Sequence, residues 1–328
     1  MIETAFTKLV GTKYPLIAAP MFLVSNEAMV IAASEAGALG TFPALNYRPI
    51  EKYKEALKTM KAGTKNPIGV NVIVNKSNTR ASEDIKYALD AGVEVFITSL
   101  GSPKDVIIEA HKNGAKVFCD VINLEHAKKV QDLGADGVIA VASGAGGHAG
   151  PISPIVLINW LKTELKIPVI AAGGIANGAT MASMLVLGAA AVSVGTRFIA
   201  STEAQVDQSY KDAVVKATPE DIVMTTRLSG TPAAVINTDY VKKIGLDLPW
   251  YLKMFKDNKS LKKYIVPLIH YLGSKSLEEA ALKPSWKTVW SAGQSVGLIN
   301  EISSCKEIIE TMIKDYELAL TNTPRLKP

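Results

Sequence analysis

The chain has 328 residues, 48% of them apolar and 20% charged, a balance that excludes a disordered or fibrous polymer and leaves room for one large α/β domain or two smaller ones. Its formal charge of +5 includes a local basic run, Lys256 to Lys263; no aromatic-plus-basic module or DNA-binding motif accompanies it, so no nucleic-acid partner is expected. No stretch reaches the roughly 18 apolar residues of a membrane span, Ala182 to Val194 coming nearest.

Met1 to Tyr14 carries Glu3, Lys8 and Lys13 and lacks the apolar centre of an export signal. The two cysteines, Cys119 and Cys305, belong to no Cys-x-x-Cys or Cys/His pattern, which points to a reduced, cytoplasmic setting and no metal site. Short β-branched runs then recur: Pro15 to Ala19, Ala38 to Phe42, Ile68 to Val74, Val93 to Thr98, Lys116 to Asp120, Gly137 to Ala142, Pro168 to Ala172 and Ala190 to Gly195. Helical stretches lie between them, at Asn26 to Ala36, Pro49 to Lys61, Ser82 to Ala91, Pro103 to Asn113, Leu124 to Leu133, Ser153 to Leu165 and Gly178 to Leu187. Gly37, Gly63, Gly92, Gly114, Gly134 and Gly188 punctuate the helix ends, where a C-cap calls for a left-handed residue.

The joints Glu35-Ala36-Gly37-Ala38, Asp90-Ala91-Gly92-Val93 and Asp132-Leu133-Gly134-Ala135 recur at the spacing of one βα unit. Eight such units predict an α/β fold, a (β/α)8 TIM barrel. An open doubly wound sheet would want a glycine fingerprint after the first strand, where the chain reads Pro20-Met21-Phe22-Leu23. After Gly195 the rhythm breaks. Ser201 to Lys216 has a helical pattern, and Thr218 to about Gly297 lacks strand-helix alternation and holds Trp250, Tyr251, Trp286 and Trp290. The expected organisation is a barrel over 1–217, a mostly helical insertion or lid over 218–297, and a C-terminal helix over 298–328 packing back on the barrel.

A barrel presents its site at the carboxyl ends of its strands. The loops after the seventh and eighth strands read Ala172-Gly173-Gly174-Ile175 and Val194-Gly195-Thr196-Arg197. Gly173, Gly174, Gly195 and Thr196 would offer backbone N–H donors and one hydroxyl to a phosphate. Arg197 reads equally as a phosphate ligand or a structural ion pair. After the sixth strand comes Ser143-Gly144-Ala145-Gly146-Gly147-His148-Ala149-Gly150-Pro151. Its bare backbone suits close approach of a ligand, and His148 is its one proton-transfer group near neutrality. His111 and His126 fall on outer helices, and His270 falls in the insertion. Asn71 puts an amide into an apolar third strand, facing either a heterocycle or a partner inside the barrel. Met21 beside Pro20 offers a polarisable thioether to a flat ring, or simply core packing. Asp120 reads as a site group or as a helix N-cap.

Taken together, Ala142 to Gly150, Pro168-Val169-Ile170-Ala171-Ala172-Gly173-Gly174-Ile175 and Val194-Gly195-Thr196-Arg197-Phe198 resemble the nitronate monooxygenase family, formerly the 2-nitropropane dioxygenases. The likeness runs from about Lys13 to Ser201. It implies FMN, with its phosphate on Gly173, Gly174, Gly195 and Thr196 and its ring near Pro20, Met21, Asn71, Ser143, Gly144 and Gly147. It further implies His148 as the base, a nitronate or nitroalkane as substrate, and O2 as oxidant. Where some members of the family have lysine at the end of the fifth strand, this chain has Asp120, which would oppose negative charge on a reduced flavin. Flavin-dependent enoyl-ACP reductases share the same loops, so an NAD(P)H-dependent reductase is the alternative, and a flavin-binding barrel without catalysis is the non-enzymatic one. The stretch from Thr231-Pro232-Ala233, preceded by Ser229-Gly230, through Trp286 to Gly297 favours the monooxygenase. Oligomeric state is not legible.

Overall fold

The computed structural model describes residues 2–75, 78–227, 231–247 and 289–322. Eight parallel strands close into a barrel in chain order: β1 (Leu16–Ala18), β2 (Leu39–Pro43), β3 (Ile68–Ile73), β4 (Val95–Ser99), β5 (Lys116–Val121), β6 (Gly137–Val141), β7 (Val169–Ala172) and β8 (Ala191–Val194). The circle closes through Ile17 opposite Ser193. Helix α1 (Ala5–Val10) precedes β1, and α2 (Glu27–Glu35), α3 (Ile50–Gly63), α4 (Ala81–Asp90), α5 (Lys104–Lys112), α6 (Leu124–Asp132), α7 (Pro154–Glu164) and α8 (Gly178–Val186) follow strands one to seven. The TIM barrel read from the βα rhythm is therefore the fold.

Side-chain alternation along each strand separates two cores. Ala18, Val70, Phe96, Val117, Ala140 and Val192 face the helices in one large buried cluster. Ile17, Leu39, Val95, Ile97, Phe118, Ile139, Ile170 and Ala191 face the barrel axis in another. Phe6 and Val10 of α1 join the axial cluster and plug it from the amino-terminal end, with the Phe6 and Phe118 rings 5.6 Å apart. Helix starts carry the caps their sequences suggest: Asn26 accepts from Met29 N, Asn123 from His126 N and Asn177 from Thr180 N.

Gly37, Gly92, Gly114, Gly134 and Gly188 all have positive φ, as the cap reading requires. Gly63 differs. It is the last residue of α3, and a Cβ there would lie 2.4 Å from Ile31 Cδ1, so close helix packing explains it.

Beyond β8 the chain forms the short helix α9 (Thr196–Ile199) and then α10 (Gln208–Lys216), which begins later than the sequence pattern suggested. The stretch read as free of strands contains an antiparallel pair, β9 (Ile222–Thr225) and β10 (Ala233–Ile236), followed by α11 (Asp239–Ile244). β10 is buried throughout, so its run of small apolar residues is a covered strand too short for its period to register. Residues 248–288, with Trp250, Tyr251, His270, Trp286 and the basic run, lie outside the described residues, as do Ser229 and Gly230. The helix α12 (Cys305–Thr321) returns to pack on α8 and α2, filling the outer position after β8. At its crossing a Cβ on Gly178 would stand 2.1 Å from Tyr316 N, which is why that helix start has glycine. Among the described residues no helix is long and apolar enough to cross a membrane.

Candidate functional site

The carboxyl ends of β6, β7 and β8 meet on one side of the barrel mouth. A Cβ on Gly173 would lie 3.0 Å from Ala142 O and Ala145 N, and one on Gly144 would lie 3.5 Å from Gly174 N. These two loops touch backbone to backbone, which requires residues without side chains. The β8 loop joins them through Gly293, whose N–H donates to Thr196 Oγ1 at 3.0 Å. Met21 brings in the β1 loop, its Sδ standing 3.6 Å from where a Gly195 Cβ would be. Above Gly174 and Gly147 a Cβ would meet nothing within 4 Å. Among the described residues the amides of Gly173, Gly174 and Gly195 donate to no acceptor. An open cradle with unpaired N–H groups suits an anion.

The glycine-rich loop itself is held, not bare. Ser143 N donates to Ile152 O at 2.8 Å, and Gly144 O accepts from Gln294 N at 3.1 Å. Gly147 exchanges both backbone bonds with Ala234 of β10, at 3.0 and 2.7 Å. Gly146 and Gly293 pack so closely that a Cβ on either would meet the backbone of the other's loop at 2.9 Å or less. These contacts fix the residue immediately before His148, whose side chain is exposed. Ala234, Gly293 and Gln294 therefore belong to the site although they lie 87 to 147 positions from Gly147. Their sequence signal was the stretch from Thr231 through Gly297 that carries the family resemblance, with no βα joint to place it.

Opposite this cradle the mouth is lined by polar side chains from β3, β4 and β5. Register and alternation put Asn71, Ser99 and Asp120 on the axial face, one step above Ile97 and Phe118. Buried Asn71 donates through Nδ2 to Ser99 Oγ at 2.7 Å and to Ile97 O at 3.2 Å, and Ser99 Oγ donates to Asp120 Oδ2 at 2.5 Å. Asn71 thus has the interior partner, and its carbonyl oxygen accepts from no described group. Asp120 sits within β5, and Asn123 caps α6, which removes the N-cap reading. Burial lifts the Asp120 carboxyl to about 6, the Ser99 hydroxyl pulling the other way. Ser99 escaped the sequence reading because a serine in Ser99-Leu100-Gly101-Ser102 resembles an ordinary turn.

Arg197 turns away from the cradle. Its guanidinium donates to Glu301 O at 3.0 Å and Ser303 Oγ at 3.3 Å, clamping α9 to the segment before α12, so the structural reading holds. His111 pairs with Asp136 at 2.7 Å on the far, amino-terminal face. Pro20 and Met21 are partly buried at the mouth, with Met21 N donating to Ser25 Oγ at 2.9 Å.

A model of the nitronate monooxygenase family matches residues 3–315. The chain is 29% identical to the (3aS,4S,5R,7aS)-5-hydroxy-7a-methyl-1-oxo-octahydro-1H-indene-4-carboxyl-CoA dehydrogenase of Rhodococcus jostii, the alignment covering 96% of each. It is 27% identical to a probable nitronate monooxygenase of Staphylococcus saprophyticus, over 95% of this chain and 97% of that one. Among solved structures it is similar to FabK from Thermotoga maritima, at 32% identity and a TM-score of 0.83, with 98% of each chain covered.

Proposed function

Because the chain belongs to the nitronate monooxygenase family of oxidoreductases, we propose that it binds FMN at the barrel mouth and oxidises a nitronate or nitroalkane with O2, His148 acting as base. One observation carries this reading: the loops after β6, β7 and β8 converge on an open cradle of unpaired amides beside the residue preceding His148. Gly173, Gly174, Gly195 and Thr196 would hold the phosphate, their N–H groups standing in for the missing basic side chain now that Arg197 is committed elsewhere. Pro20, Met21, Asn71, Ser143 and Gly144 would line the ring. Gly147 would lend its uncovered Cα face, since both its backbone groups are spent on Ala234.

When bound, FMN would supply the electron acceptor and the route to O2. His148 takes the proton from the carbon α to the nitro group and holds it on its imidazole. The Gly147–Ala234 bridge holds the backbone just before His148, which would limit the reorganisation needed at each turnover. We place this activity in a reducing, cytoplasmic setting, where Cys119 and Cys305 stay as buried free thiols.

Replacing His148 by alanine tests the reading. Turnover of nitroalkanes is expected to fall by about 10² to 10⁴, with FMN still bound; unchanged turnover with FMN bound would sink the assignment. The likeness to FabK favours a second reading, a flavin-dependent NAD(P)H enoyl-ACP reductase. Anaerobic mixing separates the two, because bleaching by NADH alone supports the reductase and bleaching by nitronate alone supports the monooxygenase.

A further inference from the structure

Asp120 is an acid in an unusual position. It lies on the axial wall of the barrel with an apolar floor of Ile97, Phe118 and Ile139 beneath it. Among the described residues its hydrogen-bond partner is the Ser99 hydroxyl, itself held by Asn71, so a three-residue hydrogen-bonded row crosses three adjacent strands. No cation faces it. On its own strand Cys119 alternates to the outer face, where Thr98 donates to it, and Lys116 lies at the opposite end beside Asp136. β4 brings only Thr98 and Ser99 as polar groups, and β6 brings no titratable residue. The charged residues of α5 and α6, Lys104, Asp105, Glu109, His111, Lys112, Glu125, His126, Lys128, Lys129 and Asp132, belong to helices on the outside of the sheet. An ionised Asp120 is therefore poorly compensated, and any second negative charge arriving at the mouth makes it less so.

We propose that Asp120 takes up a proton when electrons enter the barrel mouth, so that reduction of a bound flavin is linked to pH through this side chain. The inference rests on the FMN reading above. The balance is simple. Two electrons and one proton leave one negative charge on the ring system, and a second proton from solvent converts the Asp120 carboxylate to the acid, so the site as a whole gains two electrons and two protons. The Ser99 hydroxyl donates to the carboxylate before uptake and can accept from the acid afterwards, with Asn71 fixing its oxygen in both states.

The test uses the FMN-loaded protein, Asp120→Asn and Ser99→Ala, with the midpoint potential of the bound FMN measured anaerobically from pH 5 to 9 with dithionite as electron source. From about pH 6 up to the higher pKa that the Asp120 carboxyl takes in the reduced state, the wild-type potential is expected to fall twice as steeply with pH as that of Asp120→Asn, and outside that window the difference vanishes. Ser99→Ala keeps the steep region but moves its lower limit to higher pH, because the donor that favours the carboxylate is gone. Equal slopes in wild type and Asp120→Asn, with FMN bound to both, overturn this inference alone. Failure of the wild type to hold FMN overturns the cofactor reading and this inference with it.

Discussion

The floor and the mouth of the barrel interior are made by the same eight strands under the same alternation, yet they differ in every physical respect. At the floor, Ile17, Leu39, Ile97, Phe118 and Ile139 fill the axis and Phe6 seals it from below. One layer up, Val141 continues the apolar wall, but Thr41, Asn71, Ser99, Asp120, Ala172 and Ser193 are small or polar residues that leave room and hydrogen-bonding capacity. The two described non-glycine residues with left-handed backbone, Leu23 and Leu100, both at φ 60°, also sit in mouth loops, where strain is tolerated because the surroundings impose it. The floor thus holds the fold together, while the mouth gives up packing for a site.

That contrast can be broken at its strongest point by Phe118→Ala. A fully buried ring in contact with Phe6 is removed, and a loss of about 3 to 5 kcal/mol in urea unfolding is expected; a loss below about 1 kcal/mol would mean the floor is not where stability resides. A mouth residue with a structural duty sharpens the division. Thr196→Val keeps the shape but leaves the buried Gly293 N–H without its acceptor, so thermal unfolding of the FMN-free protein should show a loss of about 1 to 3 kcal/mol. The smallest effect has the opposite sign. Native Asp120 keeps its proton to about pH 6, whereas the unfolded carboxyl releases it near 3.8. Between those values the native state binds more protons, so stability falls as pH rises. Asp120→Asn should match the wild type near pH 4 and be more stable by about 1 to 2 kcal/mol at pH 8, checked by denaturation at both pH values. Equal stabilities at pH 8 would show that the mouth accommodates the charge without cost.

Much of this was legible from the chain because it depends on local rules. Apolar runs closed by glycine joints such as Asp132-Leu133-Gly134-Ala135 record one βα unit each, and a helix end needing positive φ selects glycine wherever it falls. The Gly173-Gly174 and Gly195-Thr196 loops stood out for the same reason: backbone that must approach another group closely excludes side chains. Gly63 shows the limit of that rule, since its glycine answers to Ile31 in another helix and not to its own φ. β10 was missed because four small apolar residues carry no period of their own, and their strand character comes from pairing with β9 and from the Gly147 bridge.

The sequence by itself determined the barrel and its cradle of glycines, through propensities and spacings that act over a few residues. Only the tertiary structure decided that Gly293 and Gln294 return to the β6 loop, that Arg197 faces Glu301 and Ser303 and not the cradle, and that Asn71, Ser99 and Asp120 form one hydrogen-bonded row. The physical reason is that these contacts join residues from separate strands, whose positions follow from barrel closure and register, and the charge of a carboxyl such as Asp120 depends on what closure leaves around it.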